Sequence, residues 1–318
     1  MTPRQSGGKH PVALYTHAAC LDHDPGPGHP ETPARLAAVL EALDESAFPT
    51  LRRIEAPRAT REQLARVHVP RLIDSILDHG PLHYWRMLDA DTLMSPGSAE
   101  AAQRAAGAVC AAVDAAIAGT APRAFCAVRP PGHHATQTTA MGFCLFNNVA
   151  VGAAHALAAH RLERVAVVDF DVHHGNGTQD IFWNEPRVVY ASSHQWPLYP
   201  GTGDRDETGA GTDNIANALL PPGAGSAEFR AAWDDILLPA LDAFAPQLVL
   251  ISAGFDAHRL DPLANLNLET DDYAWITRRL VELANRHAGG RVVSSLEGGY
   301  SLDALSESVA AHVAALGE

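Results

Sequence analysis

Short apolar runs recur along the chain, and each is separated from the next by a longer stretch whose apolar positions return with helical spacing. Residues 12–15, 124–128, 165–170, 188–192, 248–252 and 292–296 form runs of four to six residues that are apolar on both faces, too short for helices. Strands of that kind predict a parallel sheet covered on both sides. Between them, residues 33–43, 98–118, 147–160, 227–243, 271–287 and 302–315 read as helices. The first of these opens on Thr32-Pro33, an N-cap residue followed by proline at the first helical position. The alternation predicts an α/β fold: a single domain with an open parallel sheet and helices on both faces. Neither a linker nor a fixed-period repeat divides it.

Two stretches break the pattern. Residues 78–97 and 197–226 are rich in Gly, Pro and Asp and are expected to be irregular. Loops of that length inside a compact domain are usually functional. The second lacks the G-K-[ST] ending of a phosphate-binding loop, so its glycines do not read as a nucleotide cradle. Residues 1–9 read as a flexible leader, which leaves 10–318 as the domain.

Composition narrows the picture. With 47% hydrophobic and 19% charged residues in 318, there is ample material for one large core. No apolar run approaches the roughly 20 residues of a membrane span, and the N-terminus lacks the apolar segment of a secretory signal, so a cytoplasmic setting without membrane contact is expected. A net charge of −14 and the absence of Lys/Arg clusters argue against nucleic acid. Cys20, Cys110, Cys126 and Cys144 show no C-x-x-C spacing and read as reduced thiols.

The chemistry gathers where an open α/β sheet places ligands, beyond the carboxyl ends of its strands. The run at 124–128 ends in "RPPGHHA", delivering His133 and His134, and the run at 165–170 ends in "DVHHGNG", delivering Asp171, His173, His174 and Asn176. The run at 248–252 leads to Asp256 and His258, and that at 292–296 to Glu297 and Tyr300. Any one of these alone is more often a capping or hydrogen-bonded residue. Their joint occurrence at four strand ends has no cheap structural explanation, because so many buried polar groups would all need partners. Asp171 and His173 stand two apart, which on an extended backbone points both to one side, and Asp256 can join them from a neighbouring strand. Such a set suits a divalent metal with one coordination position open. His174, facing away from His173, and His258 read as structural.

The segments "RPPGHHA", "DFDVHHGNGTQ", "PGTG", "SAGFDAH" and "LEGGY" resemble the zinc-dependent histone deacetylase and acetylpolyamine amidohydrolase superfamily, which shares the arginase fold. The similarity runs from about His29 to the last helix. It implies that Asp171, His173 and Asp256 bind zinc, and that His133 and His134 are tandem imidazoles oriented by Asp169 and Asn176, with His134 the proton shuttle. Tyr300 would point its hydroxyl at the substrate carbonyl. Phe143 and Tyr199 would line a tunnel for an acylated lysine side chain, and Asp169, Asp171 and Ser192 would help hold a structural potassium ion. Each part serves amide hydrolysis, which needs an activated water, a polarised carbonyl, an oxyanion donor and a proton for the leaving amine.

Departures from the family refine this. Asn176 stands where many relatives carry Asp; the "HHGNGTQ" form resembles the class II deacetylases and should leave His134 less basic. Tyr199 replaces the usual tunnel Phe. Leu263 falls where polyamine-selective relatives can carry Glu, so acetyl-lysine is favoured over acetylpolyamine. A two-manganese ureohydrolase is the nearest rival reading, but Gly175 and His258 stand where its extra carboxylates would be. A binding module without catalysis is the other; it is disfavoured because ligands, His pair and Tyr300 are all present. The oligomeric state is open, with a homodimer or higher form compatible with the sequence.

Overall fold

In a computed structural model of the protein, residues 11–211 and 213–318 are described; the leader expected over residues 1–9 lies outside them. The strands are β1 (Val12–Thr16), β2 (Arg52–Glu55), β3 (Arg86–Met87), β4 (Leu93–Met94), β5 (Arg123–Cys126), β6 (Val165–Asp169), β7 (Val188–Gln195), β8 (Ile215–Leu220), β9 (Leu248–Ala253) and β10 (Val292–Leu296). The helices are α1 (Pro33–Ala42), α2 (Arg61–Leu64), α3 (Pro70–Leu77), α4 (Ser98–Ile117), α5 (Asn148–His160), α6 (Asn176–Phe182), α7 (Ser226–Ala232), α8 (Leu238–Phe244), α9 (Thr270–His287) and α10 (Leu302–Leu316). Eight strands form one parallel sheet in the order β2-β1-β5-β10-β9-β6-β7-β8. Every residue of β5, β6, β7, β9 and β10 is buried, as expected of strands covered on both faces. Helices α4 and α5 pack on each other, and α10 packs between α1 and α9. The fold is the single α/β domain that the alternating pattern predicts.

The six predicted strands and six predicted helices are present, with shifts of at most three residues at their ends. Other elements were hidden. The 197–226 stretch contains β8, an edge strand whose alternating "IANALL" is surrounded by Gly, Pro and Asp. The 78–97 stretch contains the antiparallel pair β3/β4. Strand β2 is an exposed edge built from "RRIE", where charge masks the pattern. The helix expected over 227–243 is interrupted by a π segment at Trp233–Leu237. Pro239 follows directly; it has no N–H to give, and the wider turn, in which Leu238 N–H reaches Trp233 O, absorbs the lost bond.

Candidate metal centre and active site

The sheet order places β5, β10, β9 and β6 side by side, so the four motif-bearing strand ends form one continuous rim. Asp169 pairs in register with Ser252 on one side and Ser192 on the other, which sets the β6 and β9 loops next to each other. Asp171 and His173 meet for a different reason from the one their spacing predicts. Strand β6 ends at Asp169, and residues 171–173 form a bend in which Asp171 Oδ1 accepts the His173 N–H at 2.9 Å. The carboxylate itself draws His173 back, a local turn favoured by Asp.

Asp171, His173 and Asp256 bring one ligand atom each to a common point. His173 Nδ1 lies 3.2 Å from Asp171 Oδ1 and 3.2 Å from Asp256 Oδ2. Bonds of about 2.0–2.1 Å to a tetrahedral ion place neighbouring ligand atoms about 3.3 Å apart, so this spacing fits a metal. The outer oxygens are held in place: Gly298 N–H donates to Asp171 Oδ2 at 2.8 Å and Val172 N–H to Asp256 Oδ1 at 2.9 Å. Gly254 and Gly298 are required here, since a Cβ on either would lie 2.0–2.1 Å from a ligand carboxylate oxygen. Burial and the neighbouring Asp171 charge push the Asp256 carboxyl up to about 7, while Asp171, whose burial cost is outweighed by His133 and His173, is held low. Two buried carboxylates that disfavour each other's charge, converging with one imidazole, are the donor set of a cation seat.

A second cluster, Asp114, His155 and His160, also converges, but Asp114 Oδ1 lies 2.6 Å from both imidazole Nε2 atoms. That is hydrogen-bond spacing. Arg66 also donates to His155 Nδ1 at 2.7 Å, which leaves that ring's proton on Nε2, where it is given to Asp114 rather than displaced by a metal.

The tandem histidines differ in their partners. His133 Nδ1–H donates to Asp169 Oδ2 at 3.0 Å, and its Nε2 is 3.9 Å from Asp171 Oδ1. Burial opposes its charge, but Asp171 and Asp169 outweigh burial and raise the ring to about 10. His134 Nδ1–H donates to Asn176 Oδ1 at 2.8 Å; the Asn176 amide NH₂ faces His134 O and Met141 Sδ, which fixes its orientation. Burial and the charges of His133 and His173 push His134 well below its ordinary value, so it is neutral with its Nε2 lone pair free.

Asp169 serves as both an orienting group and a backbone anchor. Its Oδ1 accepts Asp171 N–H at 3.1 Å, while Tyr190 O–H donates to Oδ2 at 3.0 Å. Gly175 abuts this group: a Cβ there would sit 2.4 Å from Asp169 Oδ2, leaving no room for the further carboxylate of a two-metal site. Ser192 Oγ is 2.9 Å from His194 Nδ1. His174 bonds Thr202 and Gln179 through its two ring nitrogens, and His258 Nδ1 accepts Leu260 N–H, so both are tied into the structure.

The aromatic groups surround the cluster. The Tyr199 ring stands edge-on to His134 at 5.1 Å and to His173 at 6.3 Å, and Phe143 packs between His29 at 4.7 Å and Tyr300 at 6.0 Å. Phe143 holds a positive φ of 67°, a costly conformation for a side chain of its size. Its N–H bonds Thr92 Oγ1, and the preceding Gly142 N–H bonds Asp91 Oδ1. Tyr300 is anchored by its N–H to Asp261 Oδ2 at 2.7 Å, and among the described residues its hydroxyl has no hydrogen-bond partner. Leu263 is half-buried and linked to the same aspartate, its N–H donating to Asp261 Oδ1.

Three neighbours of the site, Glu31, Arg35 and Arg129, escaped the sequence reading, and Glu297 was placed at its strand end without its partners. Glu31 and Arg129 form a fully buried bidentate pair; Arg35 adds to it, donates to the Gly299 and Glu297 carbonyls, and stacks 4.7 Å over the Tyr300 ring. Glu297 receives Gly132 N–H at 2.6 Å, His133 N–H and Ser252 O–H, tying three of the four strand ends together. The i,i+4 pair Glu31–Arg35 in "PETPAR" was the available signal.

The chain belongs to the histone deacetylase family: the histone deacetylase domain matches residues 29–316. It is therefore an enzyme of the deacetylase and amidohydrolase class. It is 40% identical over 317 residues to the histone deacetylase-like amidohydrolase of Pseudomonas aeruginosa, covering 91% of this chain and 82% of that one. It is 38% identical over 318 residues to the chloroplastic histone deacetylase 14 of Arabidopsis thaliana, covering 93% of this chain and 74% of that one. The crystal structure of the HDA15 HD domain superposes with a TM-score of 0.90 at 37% identity, covering 97% of this chain and 89% of that one.

Proposed function

We propose that the protein is a zinc-dependent amidohydrolase that removes acetyl or other short acyl groups from Nε-acyl-lysine, its catalytic unit spanning residues 10–318. The observation that carries this reading is the 3.2 Å ligand spacing of Asp171, His173 and Asp256 beside a neutral His134. Zinc held there would supply Lewis acidity to the amide carbonyl and to a water molecule. His134 Nε2 takes the proton of the attacking water and returns it to the leaving amine; Asn176 keeps the other ring proton in place meanwhile. His133, charged against Asp169, favours the negative charge that develops beside it. The free hydroxyl of Tyr300 donates to the oxyanion, and Arg35 over its ring fixes its direction.

Phe143 and Tyr199 suit the walls of a narrow passage for a lysine alkyl chain. Leu263, with no carboxylate to meet a distal ammonium, favours acyl-lysine over acylpolyamine. The in-register pair Asp169 and Ser192, with Asp171, is the proposed potassium site. Four buried, unpaired cysteines fit a reducing, cytoplasmic setting. Among the described residues no helix is long and apolar enough to cross a membrane.

Metal analysis should find one zinc per chain, and chelation should abolish cleavage of an acetyl-lysine peptide until zinc is restored. Two manganese ions per chain would overturn the reading. Parallel rates on acetylputrescine and acetylspermidine test the use of Leu263; polyamine rates equal to the peptide's would refute it.

A further inference from the structure

Eight large apolar side chains are exposed among the described residues, and four of them, Leu82, Tyr84, Trp85 and Met87, fall within the six positions that run from the loop before β3 through β3 itself. Scattered exposed apolar residues are ordinary, but a contiguous patch marks a surface that meets something. The patch is held in place. Trp85 Nε1–H donates to Asp24 O at 2.7 Å, its ring edge lies where a Cβ on Gly26 would be only 3.0 Å away, and Arg86 is fixed to the Ser75 and His79 carbonyls. Tyr84 and Trp85 remain 80% and 51% exposed all the same.

Between this loop and residues 22–24 runs a groove of about 450 Å³, lined by Asp22, Asp24, His83, Tyr84 and Trp85. Among the described residues no Lys or Arg lines it. Asp24 Oδ1 accepts only Gly26 N–H, and the Asp22 carboxylate has no partner among the described residues. The chain segments that border the groove also lead to the candidate tunnel wall: His29 packs on the Phe143 ring and bonds Asp91 O, while Asp91 and Thr92 receive the Gly142 and Phe143 N–H groups.

Resting on the acyl-lysine reading above, we infer that this groove is a substrate subsite for a cationic residue that flanks the acylated lysine of a polypeptide. Its guanidinium or ammonium meets Asp22 and Asp24, and its alkyl stem and charge lie on the Trp85 and Tyr84 rings. Charge complementarity selects this occupant over a second copy of the chain, which carries the same net charge of −14.

The test compares acetyl-lysine peptides that differ only in having Arg, Gln or Glu at each flanking position, together with acetyl-lysine amide, which has no flank. At one flanking position Arg should raise kcat/KM about tenfold over Gln, through KM, and Glu should lower it. The double variant Asp22→Asn/Asp24→Asn, and separately Trp85→Ala, should abolish the preference while leaving the rate on acetyl-lysine amide and the thermal midpoint unchanged. Equal rates on all flanks from an enzyme that cleaves acetyl-lysine amide would overturn the subsite, as would a preference that survives in the double variant. If the double variant slows acetylspermidine but not the Arg peptide, the cation belongs to a polyamine and the polypeptide assignment falls. Failure to cleave acetyl-lysine amide at all would sink the acyl-lysine reading instead.

Discussion

Burial and neighbouring charge decide the chemical state of the two imidazoles beside the candidate metal seat, and hydrogen bonds decide which nitrogen carries the proton. His133 is drawn towards charge by Asp171 and Asp169 against its burial; His134 is left neutral by burial and by the charges of His133 and His173, and its Asn176 partner carries no charge to offset them. Replacing Asn176 by Asp gives His134 an anionic partner and raises its proton affinity. The neutral form that accepts a proton then persists only at higher pH, so the acidic limb of the kcat/KM profile should move up by about one unit. An unmoved limb would remove His134 as the base. Tyr300→Phe should keep the metal content and the fold but lower kcat about 10²-fold, the effect of losing one well-placed oxyanion donor. Steady-state rates beside metal analysis separate this from loss of the site. These residue types were legible in the chain because they are costly to bury without work to do. Their partners Glu31, Arg35 and Arg129 were not, because a lone charged residue in a sequence reads as surface; Glu297 was placed at its strand end but without its partners.

Elements act here by delivering loops. Helix α10 carries His312 into an aromatic cluster of Phe125, Phe170 and Phe255, at ring distances of 5.6–5.9 Å. Phe170 and Phe255 directly precede the candidate ligands Asp171 and Asp256, so this packing supports the backbone of the site. Thr277 O–H donates to Tyr273 O and accepts from His312 Nδ1–H, and Ser294 O–H donates to Nε2; the ring is satisfied only when neutral. Burial lowers it to about 3. Between that value and the unfolded value near 6.5 the unfolded chain binds a proton that the folded one refuses, so stability falls as pH drops through the window. His312→Gln should flatten the slope of unfolding free energy between pH 6.5 and 4.5 by up to about 1.4 kcal/mol per pH unit, read from urea titrations. Strand and helix order was readable because parallel strands are apolar throughout. Strands β2 and β8 were not, since each lies at a sheet edge where charge or Gly and Pro are tolerated.

Across the whole molecule, buried charge joins parts far apart in the sequence. Glu31 links Arg129, just beyond β5, to Arg35 on α1, which in turn grips the segment after β10. Arg129 outweighs the burial cost of the Glu31 carboxyl and keeps it ionised. Glu31→Gln leaves two buried guanidinium groups short of a counter-charge and should cost about 3–5 kcal/mol, measurable by urea unfolding. The candidate metal seat is tested on the same scale. An ion that binds only the folded chain stabilises it by about 4 kcal/mol at a thousand times its dissociation constant, so chelation should lower the thermal midpoint while far-UV circular dichroism stays unchanged. An unchanged midpoint would mean that the cluster holds no ion.

The amino-acid sequence by itself determined the α/β class, the order of most strands and helices, and which residues stand at the strand ends, because periodicity and the cost of burying polar groups are local properties that each segment carries alone. Only the tertiary structure decided that β5, β10, β9 and β6 are neighbours, that a bend rather than a strand brings Asp171 to His173, and that 3.2 Å separates the groups of the candidate metal cluster where 2.6 Å separates those of the Asp114 cluster. Those facts depend on register and on side chains contributed from distant positions, and no stretch of chain contains them until the sheet has closed around them.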